Sequence, residues 1–355
     1  MAIVTSDKPK IFFIVVLLCL ILVVFWSDRY PGLIKRYASV ASGNVVLLDK
    51  ISPDAGVAPN DGTKPLWERT AVTAANWAYT NRKGMTFGVL FGAGALTLLS
   101  YVRVSQSRNR FVNAFGGMLA GMPLGVCANC VTPIAKCVAE GGARHETALA
   151  ASVASPGLNP VVLSMLFAAF PFHLAIIKLS MTLLVILVAV PLVVGKNHAS
   201  SATAEAPACP SSSTPKRRFG GVSGACLDYA KNLWYVFSRT VPLMIAAGLL
   251  GALVANLVDF HRLAAEPNAL ALGAIALIST FLPVPMAFDV MFAHSFMASG
   301  GAASAASVML TSLGSYSVLS ALVVRQTMGT ATALKMYAVV AAAGMAAGLA
   351  ASLFG

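Results

Sequence analysis

Long apolar runs separated by short polar stretches dominate the chain, and they predict membrane-spanning helices. The runs cover residues 11–26, 84–102, 174–195, 233–258 and 333–354. A hydrocarbon core about 30 Å thick needs roughly 20 residues of helix, so these runs are long enough to cross it or fall only slightly short. The pattern therefore predicts an all-α polytopic membrane protein.

Four further apolar segments are interrupted near their middles by helix-breaking residues. The interruptions are Pro123 and Pro133 in 112–139, Pro156 and Pro160 in 147–168, Pro283 and Pro285 in 269–298, and the run from Gly314 to Ser317 in 303–324. Irregular backbone is tolerated at membrane depth only where protein buries it or where it lines a cavity. We therefore expect the breaks to line a substrate site.

The segment 112–139 is too short for two crossings, because each arm of about 14 residues rises only about 21 Å. It predicts a re-entrant hairpin. Residues 84–195 and 233–355 each contain one span, one broken hairpin, one mid-broken span and one closing span. Basic loops place the first hairpin on the cytoplasmic side and the second on the outer side. The two halves are therefore expected to be inverted repeats, an architecture that puts the binding site near the midplane.

Three segments lie outside the repeats. Residues 1–26 predict one extra N-terminal transmembrane helix, uncleaved, because the small residues at 38–41 lie too far beyond the apolar run for signal cleavage. Residues 27–83 predict an extramembrane segment in which Trp67 and Trp77 mark either an interfacial stretch or ordinary surface packing. The Ala/Ser/Pro-rich, basic stretch 196–232 predicts a flexible cytoplasmic linker.

Composition supports a membrane protein, since 57% of the residues are hydrophobic and 11% are charged. A soluble protein carries about 25% charged residues. The net charge of +12 comes from basic residues in loops, which favours contact with anionic lipid over nucleic acid. No Walker motif is present, so ATP hydrolysis by this chain is not expected. The expected partners are the bilayer and a small-molecule or metalloid solute, with no cofactor, and a homo-oligomer is left open.

The richest candidate chemistry is the dithiol of Cys127 and Cys130. Thr132 followed by Pro133 is typical of a helix start, so the second hairpin arm is expected to begin there and point its N-terminus at the thiols. Such a terminus favours thiolates, which bind soft ions and metalloids. Cys137, about one turn further along, is either a third ligand or an inert buried thiol.

Polar residues beside the breaks complete the candidate substrate site. These residues are Asn129, Thr132, Ser155, Asn159, Ser315 and Tyr316. Ser155 and Asn159 can satisfy backbone groups that the neighbouring prolines free. Tyr316 either lines the cavity or packs beside it.

Asp289 is the only acidic residue in the apolar part of the second hairpin. A carboxylate at the membrane centre costs about 2.5–3.5 kcal/mol on insertion scales. We therefore expect Asp289 to face a cavity, where it could carry a coupling proton. His294 either pairs with it or packs in the core. Lys178 and Lys335 begin the two closing spans and are expected to extend to the membrane interface.

The pattern Pro123-x-x-x-Cys127-x-x-x-x-x-Pro133, followed by Gly141-Gly142 and Ser155-Pro156-x-x-Asn159, resembles the predicted-permease family that includes the ArsP-like methylarsenite exporters. The resemblance covers roughly residues 84–354. The family's hairpin usually has Cys-x-Cys ahead of a proline; here Asn129 takes the second cysteine's place and Cys130 follows it. The resemblance implies a bacterial inner-membrane permease, not an enzyme, with a thiol-dependent site.

The sequence is compatible with three functions. The first is a secondary transporter that exports a small, soft or thiol-reactive solute such as a trivalent organoarsenical. The second is a membrane-embedded thiol oxidoreductase that uses Cys127 and Cys130 near a quinone-sized pocket. The third is a sensor or assembly subunit that contains no continuous path.

Overall fold

A computed structural model describes residues 8–41, 64–102, 106–194, 222–258 and 268–354, and within these ranges it contains helices and no strands. The α-helices are α1 (Lys8–Ala41), α2 (Leu66–Tyr101), α3 (Arg110–Gly121), α4 (Ala128–Glu140), α5 (His145–Gly157), α6 (Pro160–Ala169), α7 (Phe172–Leu184), α8 (Val190–Val194), α9 (Val222–Leu257), α10 (Ala269–Phe281), α11 (Phe288–Ala298), α12 (Ala303–Ser312), α13 (Val318–Met328) and α14 (Thr330–Ala351). One π-helical turn, Val185–Ala189, joins α7 to α8.

Five stretches of helix in the described ranges are long and apolar enough to cross a membrane. They are Lys8–Gly32 of α1, α2, the continuous Phe172–Val194, α9 and α14. The pair α5 and α6, bent by 42°, gives a sixth span if it crosses as one unit. The chain is therefore an all-helical, multi-pass membrane protein.

Each of the four segments contains a break, but Pro133 and Pro156 do not mark one, because they lie inside α4 and α5. In the first hairpin, α3 ends in a 3-10 turn, Met122–Leu124, and Gly125 then takes a left-handed conformation with φ of 56°. A Cβ there would lie 2.3 Å from the ring of Trp26, so glycine meets both a backbone and a packing requirement. Helix α4 begins three residues later, at Ala128.

Asn159 and Pro160 together start α6 after the break in the first half's bent span. The Asn159 side chain accepts a hydrogen bond from the Val161 amide at 2.8 Å, and Pro160 fills the first helical position, where no amide is needed. In the second half, irregular backbone at 282–287 separates α10 from α11, and residues 313–317 separate α12 from α13. Proline and capping chemistry therefore set the ends of these short helices.

Three predicted helix boundaries are wrong because long helices continue past them. Helix α2 begins at Leu66 rather than Gly84, so residues 66–83 continue the helix of the second span. Its first turns bury Thr73, Asn76, Trp77 and Asn81 against the rest of the protein. Tertiary packing of the buried face that these four residues form explains the helix better than hydropathy does.

Helices α1 and α9 also extend beyond the predicted limits. Helix α1 continues past residue 26 to Ala41, and α9 starts at Val222 inside the predicted linker. Residues 42–63 of the predicted extramembrane segment and residues 196–221 of the predicted linker lie outside the described residues.

Helix α4 lies directly on α2 through glycine. A Cβ at Gly88 would sit 2.2 Å from the carbonyl oxygen of Cys130, closer than any real side chain approaches a backbone atom. A Cβ at Gly84 would meet the Cys130 sulfur at 2.6 Å, and one at Gly92 would meet Cys137 at 3.3 Å. The small residues let the two backbones approach and fix the hairpin that carries the dithiol.

Candidate functional site

The four breaks meet at one small cavity. Cys127 of the first hairpin, Pro156 and Gly157 at the end of α5, the second-hairpin turn with Asp289, and Gly314 with Ser315 all line it. It has room for about one water-sized molecule. The structure thus brings together elements that lie up to about 190 residues apart in the sequence.

Helix α4 begins at Ala128, with Cys127 as its N-cap, so the predicted start at Thr132 and Pro133 is wrong. The amides of Cys130 and Val131 donate to the Cys127 carbonyl at 2.9 and 3.0 Å. Thr132 donates its hydroxyl to the Ala128 carbonyl at 2.5 Å, inside the helix. A single proline in the second turn removes only one backbone hydrogen bond, which the packing of α4 against α2 outweighs.

This start still places the dithiol at a helix N-terminus, because Cys130 lies in the first turn of α4. Both thiols are buried and interact directly with each other. The sulfur of Cys127 also approaches Asn81 Oδ1 of α2 at 3.9 Å. The helix N-terminus favours negative charge on the sulfur atoms.

Arg29 of the N-terminal helix is a neighbour of the dithiol that sequence reasoning missed. Its Nη1 atom and the Cys130 sulfur both lie within 4.0 Å of the point that a Cβ at Gly84 would occupy. Its Nε atom is buried and has no hydrogen-bond partner in the described part of the chain. Only the absence of a side chain at Gly84 could have signalled this approach in the sequence.

Cys137 does not join the dithiol, so a three-thiol site is wrong. It follows Cys130 by two helical turns, a rise of about 10 Å along α4. It is fully buried and packs near Gly92 of α2. In the described ranges, no three His, Cys, Asp or Glu side chains lie close enough together to hold a metal ion. Any soft-ion site therefore has Cys127 and Cys130 as its two sulfur ligands.

Asn129 connects the first hairpin to both breaks of the second half. Its Nδ2 donates to the Val284 carbonyl at 3.2 Å, and its Oδ1 accepts from the Ser317 hydroxyl at 2.8 Å. One turn later, the hydroxyls of Thr132 and Ser320 share a hydrogen bond at 3.1 Å. Polar groups freed by the breaks of one half are thus satisfied by residues of the other.

The first half's two breaks are joined by Ser155 and Asn159. The Ser155 hydroxyl accepts from the Val126 amide at 3.1 Å and lies 3.2 Å from the Val126 carbonyl, to which it also donates. The Asn159 amide reaches the Met286 sulfur in the second hairpin at 3.9 Å. Both residues satisfy irregular backbone, as predicted, rather than projecting freely into the cavity.

Asp289 faces the cavity, as predicted, but its partner is Lys178 and not His294. The Nζ atom of Lys178 donates to Asp289 Oδ2, and the two residues are 1% and 8% exposed. Lys178 therefore does not extend to the interface, because a buried ammonium is stabilised only by an opposite charge at this depth. His294 packs edge-on against Phe170 with ring centroids 5.9 Å apart.

Ser315 and Tyr316 take different places although they are adjacent. Ser315 lines the cavity and donates its hydroxyl to the Thr311 carbonyl at 2.6 Å. Tyr316 packs in a hydrophobic cluster with α5 and α14, and its hydroxyl lies 3.4 Å from the Ala333 carbonyl. Tyr316 is thus a packing residue outside the cavity wall.

Two more small cavities flank the central one. Thr132, Lys136, Ser152 and Ser320 contribute to the first, beside the arms of α4 and α13. The second lies beside Thr73, Trp77 and the Pro283–Pro285 turn, and it shares Pro285 with the central cavity.

A larger apolar groove of about 590 Å³ lies between α2 and α9. Met85 and Val89 of α2 and Trp234 and Phe237 of α9 line it, and neither Cys127 nor Cys130 does. Cys127 therefore borders the small central cavity, whereas Cys130 is buried behind it and borders neither that cavity nor this groove.

Comparison of the chain with protein-family models, with curated proteins and with solved structures finds no match.

Proposed function

We propose that this chain is a permease of the bacterial inner membrane, a secondary transporter that exports a small, soft or thiol-reactive solute through the central cavity. The single observation that supports it most is the convergence of four helix breaks on one cavity, where a thiol and a carboxylate face each other. Broken helices at membrane depth are typical of transporter binding sites. A helical bundle without a binding site does not require four helix breaks at one point.

Inverted repeats with re-entrant hairpins belong to this proposal. Helices α3 and α4 have 12 and 13 residues, and α10 and α11 have 13 and 11, so each arm rises only about 16–20 Å. Arms of this length reach the middle of a bilayer and return. Hairpins that come from opposite faces would place Asn129 and Val284 together at the midplane, where they are hydrogen bonded.

The central cavity is too small for the solute in this arrangement, which agrees with a transporter that must change conformation to admit it. The flanking cavities beside Lys136 and beside Trp77 would open alternately as one half moves against the other. Alternating access around a fixed central site is the usual consequence of inverted repeats.

A trivalent organoarsenical suits the dithiol chemically, and the resemblance to the methylarsenite exporters points to the same class of solute. Each thiol of Cys127 and Cys130 would displace one hydroxyl group from arsenic as water, forming an As–S bond as the S–H and As–O bonds break. Addition of water reverses the exchange and releases the solute. No electrons are transferred, so no redox partner is needed.

The thiol oxidoreductase is the weaker alternative. A dithiol that exchanges electrons with another protein or a quinone must be accessible to it. Cys127 and Cys130 are each 2% exposed, and neither lines the large groove between α2 and α9. A sensor or assembly subunit would not need an ion pair and a dithiol at the same closed cavity.

Uptake into vesicles tests the transport proposal. We expect wild-type protein in phosphatidylethanolamine–phosphatidylglycerol liposomes to move phenylarsine oxide, and Cys127→Ser to lower the rate by roughly tenfold or more, because a hydroxyl cannot replace a soft sulfur ligand. Cys226→Ser is the matched control, since Cys226 is an exposed free thiol.

Equal uptake by wild type and Cys127→Ser, above empty liposomes, would contradict the thiol role. Uptake by neither protein above empty liposomes would contradict transport of this solute class. In both cases the circular dichroism spectrum of each purified variant establishes that the helices are intact.

A further inference from the structure

The ion pair of Lys178 and Asp289 joins the two halves of the chain at the central cavity. Lys178 lies on α7, the closing span of the first half, and Asp289 lies in the first turn of α11, in the second hairpin. Asp289 also lines the cavity, together with Cys127. The pair is therefore a direct electrostatic link between the halves beside the proposed solute site.

We propose that Asp289 is a proton-binding site and that its pairing with Lys178 is a latch that couples proton movement to opening of the cavity. The proposal rests on the proposed transport function and names the coupling ion that drives it. The ligand is a proton from the aqueous phase, which adds to a carboxylate oxygen of Asp289 to form the neutral acid.

The burial of the pair explains why protonation would open the cavity. Two charges are tolerated at this depth because each neutralises the other. A proton on Asp289 removes the negative charge and leaves the Lys178 ammonium buried without a counter-ion. Movement toward water then lowers the free energy of the Lys178 ammonium group, and this movement separates α7 from α11.

Opening is necessary for transport because the closed cavity has room for about one water-sized molecule only. Once the cavity is open to the other aqueous phase, Asp289 releases its proton there and the pair forms again. One proton thus crosses for each opening and closing. Solute movement and proton movement share the same conformational step, which is the definition of coupling.

Few other ionisable groups reach the pair in the described part of the chain. Helices α6 and α12 pack against α11 and carry no ionisable side chain. Cys127 lies across the cavity. His294 of α11 packs against Phe170, and His173 of α7 packs beside Phe354. Asp289 is therefore the acidic group on which a proton changes the link between the halves.

Lys335 offers a matched control. It begins the closing span α14 of the second half, as Lys178 begins that of the first, but it is exposed. Removing its charge changes the net charge as much as removing Lys178 does, and it leaves the buried pair intact. Effects specific to the latch should therefore be absent in Lys335→Gln.

The experiment measures counterflow and gradient-driven uptake of phenylarsine oxide in phosphatidylethanolamine–phosphatidylglycerol liposomes. We expect a pH gradient to accelerate wild-type uptake roughly tenfold, within the 5- to 150-fold range of known couplings. Asp289→Asn should take up phenylarsine oxide at the same rate with and without the pH gradient, whereas Lys335→Gln should keep the wild-type acceleration. The double variant Lys178→Met with Asp289→Leu removes both charges without leaving one unpaired, and it should also lose the acceleration.

If a pH gradient still accelerated uptake in Asp289→Asn or in the double variant, the latch proposal would be overturned. Wild-type counterflow without any gradient acceleration would also overturn it, while leaving transport itself intact. Absence of wild-type counterflow would instead remove the transport function, and the coupling with it.

Infrared difference spectra between acid and neutral pH test proton binding without any solute. A protonated-carboxyl band in wild type that is lost in Asp289→Asn supports the site. The same band in both proteins, or in neither, overturns it.

Discussion

Replacing Lys178 by Met is expected to lower the free energy of unfolding by about 3–5 kcal/mol, because the substitution leaves the Asp289 carboxylate buried without a partner. Lys178 is 1% exposed, so water cannot replace the lost ammonium without opening the protein. Equilibrium unfolding in mixed micelles, followed by circular dichroism, measures the change.

The double variant Lys178→Met with Asp289→Leu provides the control for that result. We expect it to recover most of the lost stability, since replacing both charges of a buried pair by apolar groups is often neutral or stabilising. Additive losses from the two single substitutions would contradict the pairing, because uncoupled sites add. Lys335→Gln should change stability by no more than about 0.5 kcal/mol.

Replacing Trp77 by Ala is expected to cost about 3–5 kcal/mol, as large aromatic-to-alanine changes do in well-packed cores. Trp77 is 6% exposed, and its ring lies so close to α9 that a Cβ at Gly248 would meet it at 2.7 Å. Its indole N–H donates to the Pro283 carbonyl at 2.5 Å. The substitution would leave both a void and an unpaired carbonyl at the second hairpin.

Trp67 is the matched control, since it lies on the same helix and is 74% exposed. Trp67→Ala should change the free energy of unfolding by about 0.5 kcal/mol or less. Similar losses in both variants would contradict the integration of the first turns of α2 into the fold. The same mixed-micelle unfolding assay compares the two proteins.

The sequence locates the helix breaks well because their causes are local. Pro160 removes an amide that the first helical position does not need, and Asn159 caps that helix with its own side chain. Gly314 takes a positive φ, which glycine adopts without strain. Such features depend on one or two residues and can be recognised without knowing what packs nearby.

Helix boundaries and side-chain partners depend on tertiary contacts, so the sequence alone predicts them poorly. Thr132 and Pro133 have the chemistry of a helix start, yet α4 continues through them because it packs against Gly84 and Gly88 of α2. Interior proline costs about 3 kcal/mol, which close packing along a whole helix can exceed.

The ion pair could not be found from spacing. Lys178 and Asp289 are 111 residues apart and lie in different halves. A lysine at the start of an apolar span resembles one that extends to the interface, and only a neighbouring carboxylate distinguishes the two cases. Arg29 was missed for a similar reason, since its approach to Cys130 depends on an empty space at Gly84.

The transport proposal requires Cys127 and Cys130 to bind the solute together where the four breaks meet. X-ray absorption at the arsenic edge, on purified protein loaded with phenylarsine oxide, tests it most directly by counting the sulfur atoms bound to arsenic. We predict two in wild type and in Cys137→Ser, and fewer in Cys127→Ser and in Cys130→Ser. An unchanged sulfur count in Cys127→Ser, or arsenic bound to no sulfur in wild type, would contradict the claim.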